Sequence, residues 1–362
     1  MDLTVAAIPF YFGSMEAERR WLRDRADDPA YDRAQFERRD TIANLAMGTA
    51  SLFAPIVTAG LHRHLELGRG RLARPVLALG LAAGVATTVA DQVNRRSDRF
   101  RSARVRRAAR RVSEVGSVTA VAACGTVLTS TLGAKLSTQR LWQHRRFDLG
   151  QGWKPTAAAI LGWDFIYYWN HRFMHQSRYM WAIHAVHHSS ERYNLSVALR
   201  QTVTDALGTF VPYGLLALLG VSPGHIETAR GVNLIYQYWI HTETIDRLGP
   251  VEEALNTASH HRVHHGVNPH YLDRNHGSIL IIWDRLFGTF QREDEPVVYG
   301  LTTNIDSFSP VTIAAHEHIE MGRDVARSTT WRQRLSYVLR GPGWAYSHPT
   351  SAPTAASAAD AA

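Results

Sequence analysis

Three short stretches of the 362-residue chain hold imidazoles at spacings that suit metal ligation: His171-Arg-Phe-Met-His175, His184-Ala-Val-His187-His188 and His260-His261-Arg-Val-His264-His265. At about 100° per residue, an i, i+4 pair lies roughly 40° apart on a helix, so one ion can reach both rings of the first stretch. His184, His187 and His188 in the second, and His261, His264 and His265 in the third, each fall within an arc of about 100°. Including His260 widens the third arc to about 140°, which makes it the weaker candidate. His241 closes the aromatic run Leu234 to Ile240 and can hang from the end of an apolar helix towards the same place. Nine candidate ligands exceed the four to six donors that a single first-row ion accepts, so two ions are expected. The histidines are also unevenly placed: of 19, 13 lie from His171 to His276, where an even spread would put about six.

What such a centre could do follows from what else is present. Cys124 is the single cysteine, so no intrachain disulfide and no cysteine-based zinc or iron–sulfur site can form. Imidazole suits iron, zinc, copper and nickel alike. A structural zinc site needs only four ligands, and a hydrolytic one would place a general base in an HExxH pattern, which His316-Glu317-His318 does not match. Two imidazole-rich ions fit dioxygen chemistry on an apolar substrate better. No GxGxxG, no cytochrome-type His-Pro-Gly-Gly and no cysteine cluster occurs, so electrons must come from an external donor. Asp164, two turns before His171, lies about 20° from it on the same face and is a candidate to accept a ring N–H from a ligand. Asp273, Asn275 and Asp284 are supporting or capping candidates. His270 and His276 lack the face spacing, and His62, His64, His144, His225, His316, His318 and His348 read as surface or loop residues.

The elements that must position these residues are helical and greasy. The mean hydropathy, −0.21, is that of a soluble protein, but it averages apolar runs with intensely charged connectors. Thr41 to Leu61 has no charged residue over about 21 positions, enough to cross a hydrocarbon core roughly 30 Å thick, with Pro55 permitting a kink or hairpin. Pro75 to Ala90, Val115 to Leu136, and the pair Ala206 to Val221 and Gly231 to Ile240 are further candidates. Asp2 stands where a signal peptide would be basic, so the run Leu3 to Met15 is expected to stay as an anchor. Nine arginines against Asp98 between Arg95 and Arg111 predict a solvated cytosolic loop, compatible with anionic lipid headgroups. The net charge is +8, yet only Lys135 and Lys154 among 40 basic residues are lysine, a genome-composition bias rather than a nucleic-acid code. The expected architecture is an all-α integral membrane protein with four to six transmembrane or half-spanning helices and a cytosolic helical cap holding a His-rich dimetal site. Its expected divisions are membrane helices with the basic loop over 1–153, the metal domain over 154–301, a helical extension over 302–340 and a disordered tail over 341–362.

The three stretches, with Asp-Phe-Ile-Tyr-Tyr-Trp-Asn-His (Asp164 to His171) and Trp-Asp-Arg-Leu-Phe-Gly-Thr-Phe (Trp283 to Phe290), resemble the fatty acid hydroxylase/sterol desaturase superfamily of membrane di-iron enzymes. Within it, His187 to Gln201, Tyr236 to Glu243, Asn256 to Gly266 and Val298 to Thr302 are similar to the alkylglycerol monooxygenases. The resemblance implies two irons, O2-dependent oxidation of a lipid C–H bond, a site facing the cytoplasm and a place in a bacterial inner membrane. For the alkylglycerol enzymes it further implies ether-lipid cleavage with tetrahydrobiopterin as reductant. Gln176, where that group carries an acidic residue, departs from the pattern. A sterol or carotenoid desaturase or hydroxylase of the same superfamily is the alternative.

Overall fold

The computed structural model describes residues 3–96, 102–202 and 213–350. These form fifteen helices: α1 (Leu3–Ala6), α2 (Ile8–Arg23), α3 (Arg38–Leu65), α4 (Ala73–Arg95), α5 (Ala103–Lys135), α6 (Thr138–Gln143), α7 (Trp153–Gln176), α8 (Arg178–His188), α9 (Gly214–Leu218), α10 (Pro223–Trp239), α11 (Ala258–His265), α12 (Ile282–Phe287), α13 (Pro310–Arg327), α14 (Trp331–Leu339) and α15 (Pro342–Ser347). No strand occurs among the described residues; extended pairing is confined to two isolated bridges, Leu255 with Leu280 and Gly266 with Tyr299.

Helices α4 and α5 pack as a long hairpin. Its seam is made of small residues: Ala73, Gly80 and Thr87 recur every seven positions on α4, and Ser113, Ser117, Ala120, Val127 and Thr131 line one face of α5. The approach is close, since a Cβ on Gly80 would fall 2.7 Å from Cys124 Sγ and one on Gly116 2.5 Å from Thr87 Oγ1. Small residues that let backbones meet, with Leu79, Leu81, Val85, Val115 and Leu128 turned outward, are the pattern of helices in lipid. Among the described residues, α4 and the segment 103–143 are long and apolar enough to cross a membrane, and only 22% of each apolar window is buried. Two such helices are fewer than the four to six expected from the apolar runs. The run 41–61 lies in α3, which is continuous through position 55 rather than a hairpin, and the first part of the run 206–221, positions 206–212, falls outside the described residues.

The arginine-rich connector is also not the loop expected. Arg95 ends α4, while Arg104, Arg106, Arg107, Arg110 and Arg111 occupy the first turns of α5; Asp98, Arg99 and Arg101 lie outside the described residues. This end of the hairpin is clamped to the C-terminal helices. Arg334 on α14, fully buried, donates to both oxygens of Asp91 at 2.6 and 3.0 Å, and Ser113 Oγ donates to the same carboxylate at 2.6 Å. Helix α13 in turn packs on α8, where Arg178 meets Glu317 at 2.8 Å and Asp324 at 2.6 Å. The expected unordered tail begins as structure: Pro342–Ser347 is helical, with Ala345 buried against Tyr337 and Val338. Residues 351–362 lie outside the described residues.

Candidate metal centre

The imidazoles are delivered by four elements that converge on one another. Ser177 ends α7 and begins α8 in extended conformation (φ −127°, ψ 124°), so one residue reverses the chain and lays the second helix back against the first. His171 Nε2 thereby comes 2.9 Å from His184 Nε2, which is 3.0 Å from His188 Nε2. Helix α10, supported by Tyr11 with its ring tilted against that of Tyr238 at 4.3 Å, ends at Trp239 and hands over His241. His241 Nε2 is 3.1 Å from His187 Nε2 and 3.0 Å from His261 Nε2 on α11. All eight residues of α11 are buried.

The nine residues expected from spacing gather into two groups whose nitrogens lie within 4.8 Å of one another: His171, His175, His184, His188 and His264 in one, His187, His241, His261 and His265 in the other. The groups adjoin, with the His188 and His265 rings 4.4 Å apart. The division cuts across α8 and α11. His184 and His188 serve one group and His187 the other, because neighbouring positions in an i, i+3, i+4 set already diverge by up to about 100°.

The protonation pattern explains what such a cluster is for. Nδ1 of His171 donates to the His276 carbonyl at 2.9 Å, that of His264 to Arg274 O at 2.9 Å, that of His241 to Gln237 O at 2.7 Å and that of His187 to Arg200 O at 3.4 Å. Carbonyls only accept, so these rings carry their proton on Nδ1, and a neutral ring then presents a bare lone pair at Nε2. Burial pushes His171, His184, His188, His241, His261, His264 and His265 well below the ordinary imidazole range and His187 down to about 3, keeping them neutral. His187 and His241 therefore point lone pairs at each other, and the Nε2 atoms of His175, His264 and His265 are buried without any partner. Lone pairs massed in this way repel unless a cation lies between them, and neutral imidazole is the form that binds metal.

Other expected residues fall elsewhere. Asp164 touches no imidazole: it accepts from the backbone N–H of Ile279 at 2.7 Å and Leu280 at 3.2 Å and from Trp283 Nε1 at 2.8 Å, tying α7 to the segment before α12. His260 points away from both groups into a polar recess of about 400 Å³ shared with Arg247, Glu252 and Arg285. Asp273 does support a ring, 3.4 Å from His175 Nδ1. His225, His316 and His318 are half-buried on helices rather than on surface loops. Two further residues at the site are not assigned from the sequence: Arg262 is given no role, and His276 is set aside for lacking the face spacing. Arg262 joins α11 to the turn after His241, donating to Glu293 at 2.8 and 2.7 Å and to the carbonyls of Thr242 and Ile245 at 3.0 and 2.8 Å. His276 is wholly buried beside the five-imidazole group, 5.1 Å from the His175 ring.

An apolar helical hairpin joined to a buried double cluster of neutral imidazoles defines a histidine-rich metalloprotein of membrane type. Residues 156–289 match the fatty acid hydroxylase family model. It is 46% identical over 192 residues to the alkylglycerol monooxygenase of Homo sapiens and 47% identical over 191 residues to that of Danio rerio, in each case covering 53% of this chain and 43% of the relative. Over 189 residues it is 30% identical to the ornithine lipid hydroxylase OlsE of Rhizobium tropici, covering 50% of this chain and 55% of that protein. The chain thus spans less than half the length of the alkylglycerol monooxygenases it matches. No solved structure matches.

Proposed function

We propose that this chain is a membrane-bound, O2-dependent di-iron monooxygenase acting on a C–H bond of an ether lipid. The observation that carries the reading is the pair of adjoining imidazole groups, each with its ring nitrogens within 4.8 Å of one another. His171, His175, His184, His188 and His264 would hold one ion, and His187, His241, His261 and His265 the other. A bound iron pair would supply the activation of O2, one oxygen atom passing to the lipid carbon and the other leaving as water, with two electrons from an external donor such as tetrahydrobiopterin. The chain's own part is positional. Backbone carbonyls of Gln237, Arg200, Arg274 and His276 hold the proton on the outer nitrogen of His241, His187, His264 and His171 and so fix which nitrogen of these four rings faces inward. Tyr193, stacked 4.6 Å from Tyr299 and 5.1 Å from the His265 ring, walls off water on one side, while its hydroxyl donates to Ile240 O and fixes the residue before His241.

Orientation follows from charge. The exposed arginines at the start of α5 lie at the hairpin end that Arg334 clamps to the helices behind α8, so the positive-inside tendency favours the centre facing the cytoplasm of a bacterial inner membrane. The similarity to OlsE favours a second reading, hydroxylation of an aminolipid chain.

The test is to purify the chain in detergent, count iron, and incubate it with an alkylglycerol, an ornithine lipid and a free fatty acid, each with and without reduced pterin. Two irons and release of aldehyde from the alkylglycerol alone are expected. A hydroxylated ornithine lipid with untouched alkylglycerol selects the second reading, and a single zinc refutes both.

A further inference from the structure

We propose that His276 is a tenth imidazole of the centre, a ligand serving the ion of the five-imidazole group. The inference rests on the reading of that group as a metal site and extends it to a residue that lies near the site in sequence but lacks the helical spacing of the other ligands.

The side chain has no exposure, and neither of its ring nitrogens has a hydrogen-bond partner. Such a residue is badly placed as packing: a phenyl or leucyl group would fill the space without burying two unsatisfied polar atoms. Its surroundings are the site itself. The ring lies 5.1 Å from that of His175 and 5.8 Å from those of His171 and His264, spacings like the 5.4 Å between His171 and His175 within the group. Behind it stands a carboxylate, Asp284 Oδ1, 3.7 Å from Nδ1.

That carboxylate is held rigidly. Asp284 accepts from the backbone N–H of His276 and of Gly277, each at 2.7 Å, and from Thr289 Oγ1 at 2.7 Å. A buried carboxylate anchored by backbone donors and set behind the outer nitrogen of an imidazole is the arrangement that orients metal-bound histidines. His171, His175 and His264 follow the same plan, each with an oxygen behind Nδ1: His276 O, Asp273 and Arg274 O. His276 completes the series, and through its own carbonyl it also fixes His171. It stands outside the set whose nitrogens all lie within 4.8 Å of one another.

The experiment compares the wild-type chain with His276→Phe, His276→Gln and Asp284→Asn, all loaded with Fe(II) or Co(II). Read-outs are ions per chain, chelator competition and the Co(II) ligand-field spectrum. Expected are two ions in the wild type; a loss of about tenfold or more in affinity for one of them in both His276 variants, with the other unchanged; stronger Co(II) absorption as that ion loses a ligand; and a smaller loss in Asp284→Asn. Wild-type chelator resistance and an unchanged spectrum in His276→Phe would overturn the role of His276 while leaving the two-ion reading intact. A wild-type chain that takes up no metal would overturn both. His276→Gln, polar and of similar volume, separates ligand loss from misfolding, which would lower both affinities together.

Discussion

Replacing Arg262 with Met should remove one metal ion and not the other. The guanidinium is 4% exposed, makes a two-pronged pair with Glu293, and binds the carbonyls of Thr242 and Ile245, so it holds the turn that follows His241 against α11, which carries His261. Glu243 lies 3.6 Å from the same guanidinium. The two carboxylates and the doubly bonded guanidinium hold its pKa above the ordinary arginine value, whereas burial alone would lower it. Breaking one side of a pair this deeply buried costs about 3–5 kcal/mol, because Glu293 is left without its counter-charge. His241 and His261 are the residues whose mutual placement the pair secures, and both belong to the four-imidazole group. Iron content should therefore fall from two ions towards one, with the remaining ion as chelator-resistant as before, and the thermal midpoint of the metal-free chain should drop. Removing Glu293 as well, in Arg262→Met/Glu293→Leu, should recover much of the stability, since an apolar pair of similar volume carries no desolvation cost. Two tightly held irons and an unchanged midpoint in Arg262→Met would refute the idea that this pair positions the centre.

Three further outcomes can be checked by unfolding measurements. Glu18 accepts from Leu195 N–H at 2.8 Å and from the Thr242 hydroxyl, yet burial pushes its carboxyl from 4.5 up to about 7. The folded state therefore holds the proton longer than the unfolded one, so Glu18 contributes stability below about pH 4.5 that is lost as pH rises to about 7, by roughly 3 kcal/mol, and Glu18→Gln should flatten that part of the profile. An identical slope in the variant would assign it to other groups. Asp91→Ala strands the fully buried Arg334 and should destabilise by about 3–5 kcal/mol, whereas Asp91→Leu/Arg334→Met should come close to wild type; equal losses in the single and double variants would contradict the clamp. Gly116→Leu drives a side chain into Thr87 and the Ala83 carbonyl and should cost about 1–3 kcal/mol, with Gly125→Leu, where nothing lies within 4 Å, as the silent control.

Much of the centre was legible because helix geometry is local. The spacings 171/175, 184/187/188 and 261/264/265 specify which imidazoles share a helix side from the 100° turn alone, and the apolar runs 75–90 and 115–136 announce α4 and α5. What the spacing did not reveal is how the sides are apportioned. Treating each set as one face hid the split of His187 from His184 and His188, which arises only when α10 brings His241 to one flank of α8 and α7 brings His171 to the other. Asp164 looked like a partner of His171 from its place on α7, but the Ile279–Trp283 segment reaches it first with three donors.

His276 and Arg262 show the same boundary from the other side. The chain enters the site at His276 through Asp273 and Asn275, both at positive φ (57° and 53°), and no periodicity carries across such a turn. Arg262 stands between candidate ligands in the sequence with no motif of its own, and tertiary packing makes it a buried strut. The chain's letters determined that imidazoles would be presented in helical sets, because hydrogen bonds four residues apart enforce that geometry. Which of them meet, and across which helices, was decided by the assembled fold, because contacts between distant segments depend on turns, carboxylate anchors and close-packed small residues that leave no period in the sequence.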